Sequence, residues 1–300
     1  MTLKKSISQK LRIDGRDYSR PGWYFVTLGA DYHKHLFGTV QGCEMRPNAL
    51  GRLVEQCWGE IPRHYSHIKL GVWQLMPNHF HAILQITHAG GKGLGEVINV
   101  FKGAVTREWR RSVISRYSES EQPEPSVRVW APNYYDVICI EPEKRRVREQ
   151  YIQDNPRRWA LRDVPEGVTD GRRYKGNTAL LKPGIPRQAL RISRRASEKE
   201  IAALQDDLAT FSGLVCSTFM SPGEKACLQT LQEGSAHILW ILPMTLPASI
   251  PVGWTEAFLE KRALWLSGFS QEVTAPTRES CEQANDWVEQ FCRKNTEVIY

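Results

Sequence analysis

At 300 residues, with 41% apolar and 24% charged side chains, the chain has the size for two domains and the composition of a soluble globular protein. Its net charge of +7 is unevenly placed: residues 1–195 hold 33 Lys+Arg against 19 Asp+Glu, net +14, whereas 196–300 hold 7 against 14, net −7, so a polyanion partner is expected for the first part only. The longest apolar run, 238–244, is too short for a bilayer, residues 1–20 lack the apolar segment of a signal peptide, and seven scattered cysteines without Cys-x-x-Cys spacing exclude a disulfide framework or a zinc set, all of which predicts a cytoplasmic chain with no membrane partner.

Residues 23–28, Trp-Tyr-Phe-Val-Thr-Leu, have the aromatic and β-branched content of a strand. Leu50, Val54, Cys57, Trp58 and Ile61 then fall at helical spacing over 50–66. A strand pair is predicted at 68–75 and 79–86, turning at Pro77-Asn78. A basic amphipathic helix follows from Leu94 through Arg111, then a polar loop at 118–125. The segment 129–138 leads into a helix from about Glu143 that ends near Asn155, because Pro156 cannot continue it. This order predicts an α+β first domain, residues 1–160, built on an antiparallel sheet.

Within the second strand of that pair, alternate side chains share a face, so His79 and His81 point together while Phe80 turns to the core. Two convergent neutral imidazoles make half of a metal site that keeps positions open for a substrate oxygen. His33 and His35 repeat the spacing but read as loop or strand-end decoration. Tyr151 precedes Asn155 by one helical turn, which puts phenol and amide on one face. With an ordinary pKa of about 10, a tyrosine attacks a phosphodiester only with the help of a cation that polarises the phosphate. Tyr134 and Tyr135, beside Asp136, are rival nucleophiles that read better as strand packing.

The candidate grip on that polyanion comprises Lys102, Arg107, Arg110 and Arg111 on the basic helix, Lys144, Arg145, Arg146 and Arg148 beside Tyr151, and Arg157 and Arg158 just past it. Trp109, Trp130 and Trp159 lie among these charges, where base stacking competes with core packing as their use.

Met76-Pro77-Asn78-His79-Phe80-His81, the segment around Trp130 and 134–138, and Tyr151-Ile152-Gln153-Asp154-Asn155-Pro156 occur in one order. Together they resemble the histidine-hydrophobe-histidine (HUH) single-tyrosine transposases, and among them the REP-associated tyrosine transposases, over about residues 15–160. The resemblance implies a ferredoxin-like HUH fold, Tyr151 as nucleophile, and Asn155 joining His79 and His81 on a divalent metal, Mg2+ or Mn2+. It further implies cleavage and joining of single-stranded or hairpin DNA through a 5′-phosphotyrosine, and leaves a homodimer open. A catalytically silent hairpin-binding protein and a nickase without strand joining are the competing readings.

Residues 161–187 are Gly-, Pro- and Arg-rich without a period and read as a basic linker. Over 188–300 apolar strands at 189–192, 213–220, 237–242 and 263–267 alternate with helices at 197–211, from 221, at 254–261 and at 278–293. That alternation predicts a Rossmann-like α/β domain, a parallel sheet covered on both faces. Gly213-Leu214-Val215-Cys216-Ser217-Thr218-Phe219 and Ile241-Leu242-Pro243 loosely resemble the Rossmann-like core of DNA-processing protein A, over roughly 110 residues. Met220-Ser221-Pro222-Gly223 lacks the extra glycines of a phosphate turn; a phosphate at the helix start near Ser221 and a protein-interaction role both stay open.

Overall fold

The computed structural model describes residues 17–114, 128–269, 273–292 and, as backbone, 296–299. The polar loop expected at 118–125 lies outside the described residues. The chain divides into two compact units, Met1–Ala160 and Leu161–Tyr300.

The first unit runs β1 (Gly22–Gly29), β2 (Gly38–Gln41), β3 (Glu44–Pro47), α1 (Ala49–Gly59), α2 (Ile61–His64), β4 (Ile68–Met76), β5 (His79–Ile86), α3 (Leu94–Ile114), β6 (Tyr135–Ile138), α4 (Pro142–Gln153) and α5 (Asn155–Ala160). Four strands form one antiparallel sheet in the order β4-β5-β1-β6. Strand alternation divides its side chains cleanly. Tyr24, Val26, Leu28, Phe80, Ala82 and Leu84 pack with Val54 and Trp58 of α1 and Val97, Phe101 and Val105 of α3. Phe25 and Ile83 face the other way, onto Ile152 of α4. Phe80 is fully buried, as the alternation requires.

The expected helix over 50–66 is two helices, α1 and α2, with Asn48 capping α1 through Gly51 N at 2.9 Å. The expected stop at Asn155 is a break, not an end: Asp154 closes α4, and Pro156 sits in the first turn of α5, where its missing N–H costs nothing. The β2–β3 hairpin was not anticipated from the sequence.

The second unit runs β7 (Glu166–Thr169), β8 (Arg172–Gly176), β9 (Arg187–Leu190), α6 (Glu198–Thr210), β10 (Leu214–Ser217), α7 (Pro222–Glu233), β11 (His237–Ile241), α8 (Thr255–Leu259), β12 (Ala263–Ser267), α9 (Arg278–Cys292) and β13 (Thr296–Ile299). Its sheet order is β13-β9-β10-β11-β12-β8-β7. Strands β13, β9, β10, β11 and β12 are parallel. Val215, Ile238 and Trp265 meet α7 and α8 on one face, while Cys216, Leu239 and Leu266 meet Ala284 and Val288 of α9 on the other. Both faces being covered explains the continuous apolar strands.

Residues 161–187 are not a linker: they carry β7 and β8, and β8 pairs antiparallel with β12. The charges that suggested a linker sit on an edge hairpin, where Arg172 lies over the Trp287 ring at 4.8 Å and Lys175 reaches Glu166 at 2.9 Å.

Candidate functional site

The candidate centre lies on the sheet face that α4 covers. His79 and His81 open β5, and their ring centroids stand 4.6 Å apart. Tyr151, near the end of α4, brings its ring within 5.5 Å of His81 and is 39% exposed. Asn155 is buried; its Nδ2 donates to the Tyr151 carbonyl at 3.3 Å, and its side chain lies beside His79, where a hydrogen bond would favour the charged ring. The turn in front of the histidines is pinned by Ala30 N donating to Asn78 O at 2.8 Å and Phe37 N donating to Pro77 O at 3.0 Å.

Both imidazoles are neutral over the physiological range. Burial pushes His79 down to about 4, outweighing the Asn155 hydrogen bond that favours its charged form, with nearby His33 adding to the fall. Burial, then the His79 charge, pushes His81 down to about 3. Neutral imidazole is the form that ligates a metal. The Asn155 amide nitrogen is committed to the Tyr151 carbonyl, so the amide oxygen is the atom left for His79 or a cation. Two imidazoles and an amide oxygen are a donor set that suits a divalent ion and tolerates manganese well. Among the described residues no cluster of three or more His, Cys, Asp or Glu supplies a rival metal site.

His33 and His35, read from the sequence as loop or strand-end residues, are both exposed in the turn after β1. A methyl group on Gly29, which pairs with His79 in the ladder, would lie 3.8 Å from the His33 ring. His35 stands 5.3 Å from Trp159, which in turn stands 6.0 Å from His79. Tyr32 and His33 both take left-handed backbone, φ 50° and 54°. Left-handed backbone of this kind costs roughly 1–2 kcal/mol per non-glycine residue, and no periodicity in the sequence signals it.

Of the rival tyrosines, Tyr135 pairs with Thr27 and so shares the histidine face one strand further out, whereas Tyr134 packs against the α1/α3 core. Asp136 points to the opposite face from Tyr135 by alternation, among buried residues.

The predicted cations separate by what they touch. Arg107, Arg110, Arg111 and Arg128, with Lys102 and Trp130, line a groove of about 740 Å3 between α3 and residues 128–132. Ala131 N donates to Gly29 O at 2.9 Å, so this wall joins the strand end opposite His79. Lys102 is half-buried, with its Nζ donating to Ala131 O at 2.8 Å and Asn133 O at 3.1 Å, and burial lowers its pKa. Arg158 lies 5.1 Å over the Tyr151 ring. Arg145 and Arg148 lie over Trp23 and Phe25 at 4.4 and 5.4 Å. Lys144 pairs with Glu141 at 2.7 Å and Arg157 with Asp154 at 2.5 Å, while Arg146 is exposed. Trp130 is a core residue and Trp109 packs against the same core.

In the second unit, the place near Ser221 where a phosphate was considered is filled from within. The buried Glu224 carboxylate accepts from Met220 N at 2.8 Å, Ser221 N at 3.3 Å and Ile192 N at 3.2 Å.

No family model matches the chain. An uncharacterized protein of Haemophilus influenzae is 28% identical over 171 residues, spanning 50% of this chain and 89% of that protein. Among solved structures, the chain has a likeness to a REP-associated tyrosine transposase bound to a REP hairpin, with 15% identity, 48% of this chain and 72% of that one covered, and a TM-score of 0.36. DNA processing protein A from Streptococcus pneumoniae is similar with 17% identity, coverage of 52% and 61%, and a TM-score of 0.35. No helix among the described residues is long and apolar enough to cross a membrane.

Proposed function

We propose that the first unit is a metal-dependent, single-tyrosine DNA strand transferase of the HUH type, which cleaves and rejoins single-stranded DNA at hairpins. One observation carries the reading: the exposed Tyr151 ring lies 5.5 Å from the ring of His81, the His79 and His81 rings are neutral and 4.6 Å apart, and Asn155, beside His79, donates to the Tyr151 carbonyl.

In this reaction the Tyr151 oxygen attacks the scissile phosphorus. The bond from phosphorus to the phenolic oxygen forms as the bond to the 3′ oxygen breaks; the phenol proton passes to solvent, and the 3′ oxygen takes one up. Attack by another 3′-hydroxyl on the 5′-phosphotyrosine reverses the step and joins strands, so no nucleotide cofactor is needed. Mg2+ or Mn2+ held by His79, His81 and Asn155 would supply positive charge against the phosphate oxygens. Arg158 adds a positive charge over the Tyr151 ring, and the arginines of the α3 groove hold flanking DNA.

The test is a denaturing gel of the full chain incubated with labelled single-stranded hairpin DNA and Mn2+. A covalent adduct that disappears in Tyr151→Phe is expected. An adduct retained by Tyr151→Phe overturns the nucleophile, and hairpin binding with no adduct from the unaltered chain favours a silent binding protein.

A further inference from the structure

The Asn78 side chain has two partners. Its Nδ2 donates to the His33 carbonyl at 3.3 Å, and its Oδ1 lies 2.7 Å from His79 Nδ1. A carbonyl oxygen only accepts, so the amide nitrogen faces His33 and the amide oxygen faces the ring. The amide oxygen only accepts as well, which makes His79 Nδ1 the protonated nitrogen and leaves the lone pair on Nε2. His79 then meets the Asn155 oxygen as acceptor against acceptor, an arrangement that a shared cation satisfies and a bare neutral pair does not.

Across the ladder, Thr27 pairs directly with His81, and its Oγ1 lies 2.8 Å from His81 Nδ1. A hydroxyl can donate or accept, but only as an acceptor does it leave His81 Nε2 as a lone pair. Phe25 stacks on that ring, 5.5 Å between centroids, so the hydroxyl contact fixes its rotation about a packed position.

We propose that Asn78 and Thr27 are positioning residues which hold His79 and His81 as Nδ1–H tautomers and present both Nε2 atoms as ligands. Neither touches the substrate or the ion. Each acts through the outer nitrogen of an imidazole, the arrangement by which metal-binding histidines are generally oriented. The role of the presented nitrogens rests on the strand-transfer reading, while the tautomers themselves do not.

Two measurements on the full chain keep these apart. Long-range 1H–15N spectra of the metal-free protein report the tautomer of each ring, and Mn2+ titration followed by the electron paramagnetic resonance of the free ion reports affinity. Protonated Nδ1 on both rings is expected, with Mn2+ binding weakened about 10- to 100-fold in Asn78→Ala and Thr27→Val. Thr27→Ser, which restores the hydroxyl on the same backbone, is expected to bind like the unaltered chain, and Asn78→Asp to bind at least as well. Protonated Nε2 on either ring, or equal Mn2+ affinity in Thr27→Val and Thr27→Ser, overturns the proposal. Protonated Nδ1 lost in Thr27→Val, in a chain that binds no Mn2+, upholds the positioning and overturns the strand-transfer reading.

Discussion

Asn155 donates its side-chain amide back to the carbonyl of Tyr151 across the junction of two helices, at 3.3 Å. The bond ties the candidate nucleophile to the candidate ligand through the backbone, so a shift of one moves the other. Asn155→Ala removes both the oxygen that faces His79 and this tie. It is expected to weaken Mn2+ by at least the roughly 10- to 100-fold that loss of an outer partner costs. Asn155→Asp keeps an oxygen and adds charge, so it is expected to retain Mn2+ binding. Titration of both variants, with circular dichroism to confirm the helices, checks the order; equal affinity in Asn155→Ala and the unaltered chain removes Asn155 from the site.

The pH dependence of stability follows from the two buried imidazoles. In the unfolded chain a histidine titrates near 6.5, whereas burial pushes His79 down to about 4 and His81 to about 3. Between those values the unfolded chain binds more protons than the folded one, so stability falls as pH falls through that window and levels off below it. Above 6.5 the two rings contribute no slope. Chemical denaturation of the metal-free protein at pH 7.5, 6 and 4.5 is expected to show a progressive loss, reduced in His79→Gln. An unchanged slope in that variant would show that His79 is not the group responsible.

The basic groove beside α3 makes a different prediction from the cations next to Tyr151. Arg110 and Arg128 line the groove. Arg110→Ala is expected to weaken DNA binding uniformly across sequences and to reduce the slope of log affinity against log salt by about 0.7 to 0.9 for one lost phosphate contact. Arg157 is held by Asp154 at 2.5 Å, both largely buried. Arg157→Ala is therefore expected to leave the salt slope unchanged and to lower stability by roughly 1–3 kcal/mol. Binding isotherms at several salt concentrations separate the two; a lower slope in Arg157→Ala makes that residue a phosphate contact instead.

The strands and helices were legible where one periodicity ruled. His79 and His81 share a face because β5 alternates, and β9 to β12 read as buried strands because both faces are covered. Sequence reasoning failed where a charge or a break had a tertiary cause. Arg172 and Lys175 looked like linker residues because their stacking on Trp287 and pairing with Glu166 depend on the folded sheet. Pro156 looked like a stop, although the same residue begins a helix as readily as it ends one. The left-handed turn of the two non-glycine residues Tyr32 and His33 is anticipated by no composition rule. Thr27 carried no signal either, since its partner lies 54 residues away.

Glu224 decides what the second unit can bind at the start of α7. Capping by Ser221 with Glu224 at the third helical position was readable as a local pattern, and both halves of that capping box are present. The longer reach was not: the same carboxylate also takes Ile192 N from the loop after β9, 32 residues earlier. A helix start of this kind attracts anions, and here the chain provides its own. Addition of a mononucleotide is therefore expected to leave the amide signals of Ser221 and Gly223 in place. Glu224→Ala leaves buried N–H groups without an acceptor, at about 1–3 kcal/mol each, so a loss of several kcal/mol in the second unit is expected by denaturant titration. Glu224→Gln keeps one acceptor oxygen and is expected to fall between. Shifts at Ser221 and Gly223 on adding mononucleotide to the unaltered chain would mean that the carboxylate yields its place to a phosphate.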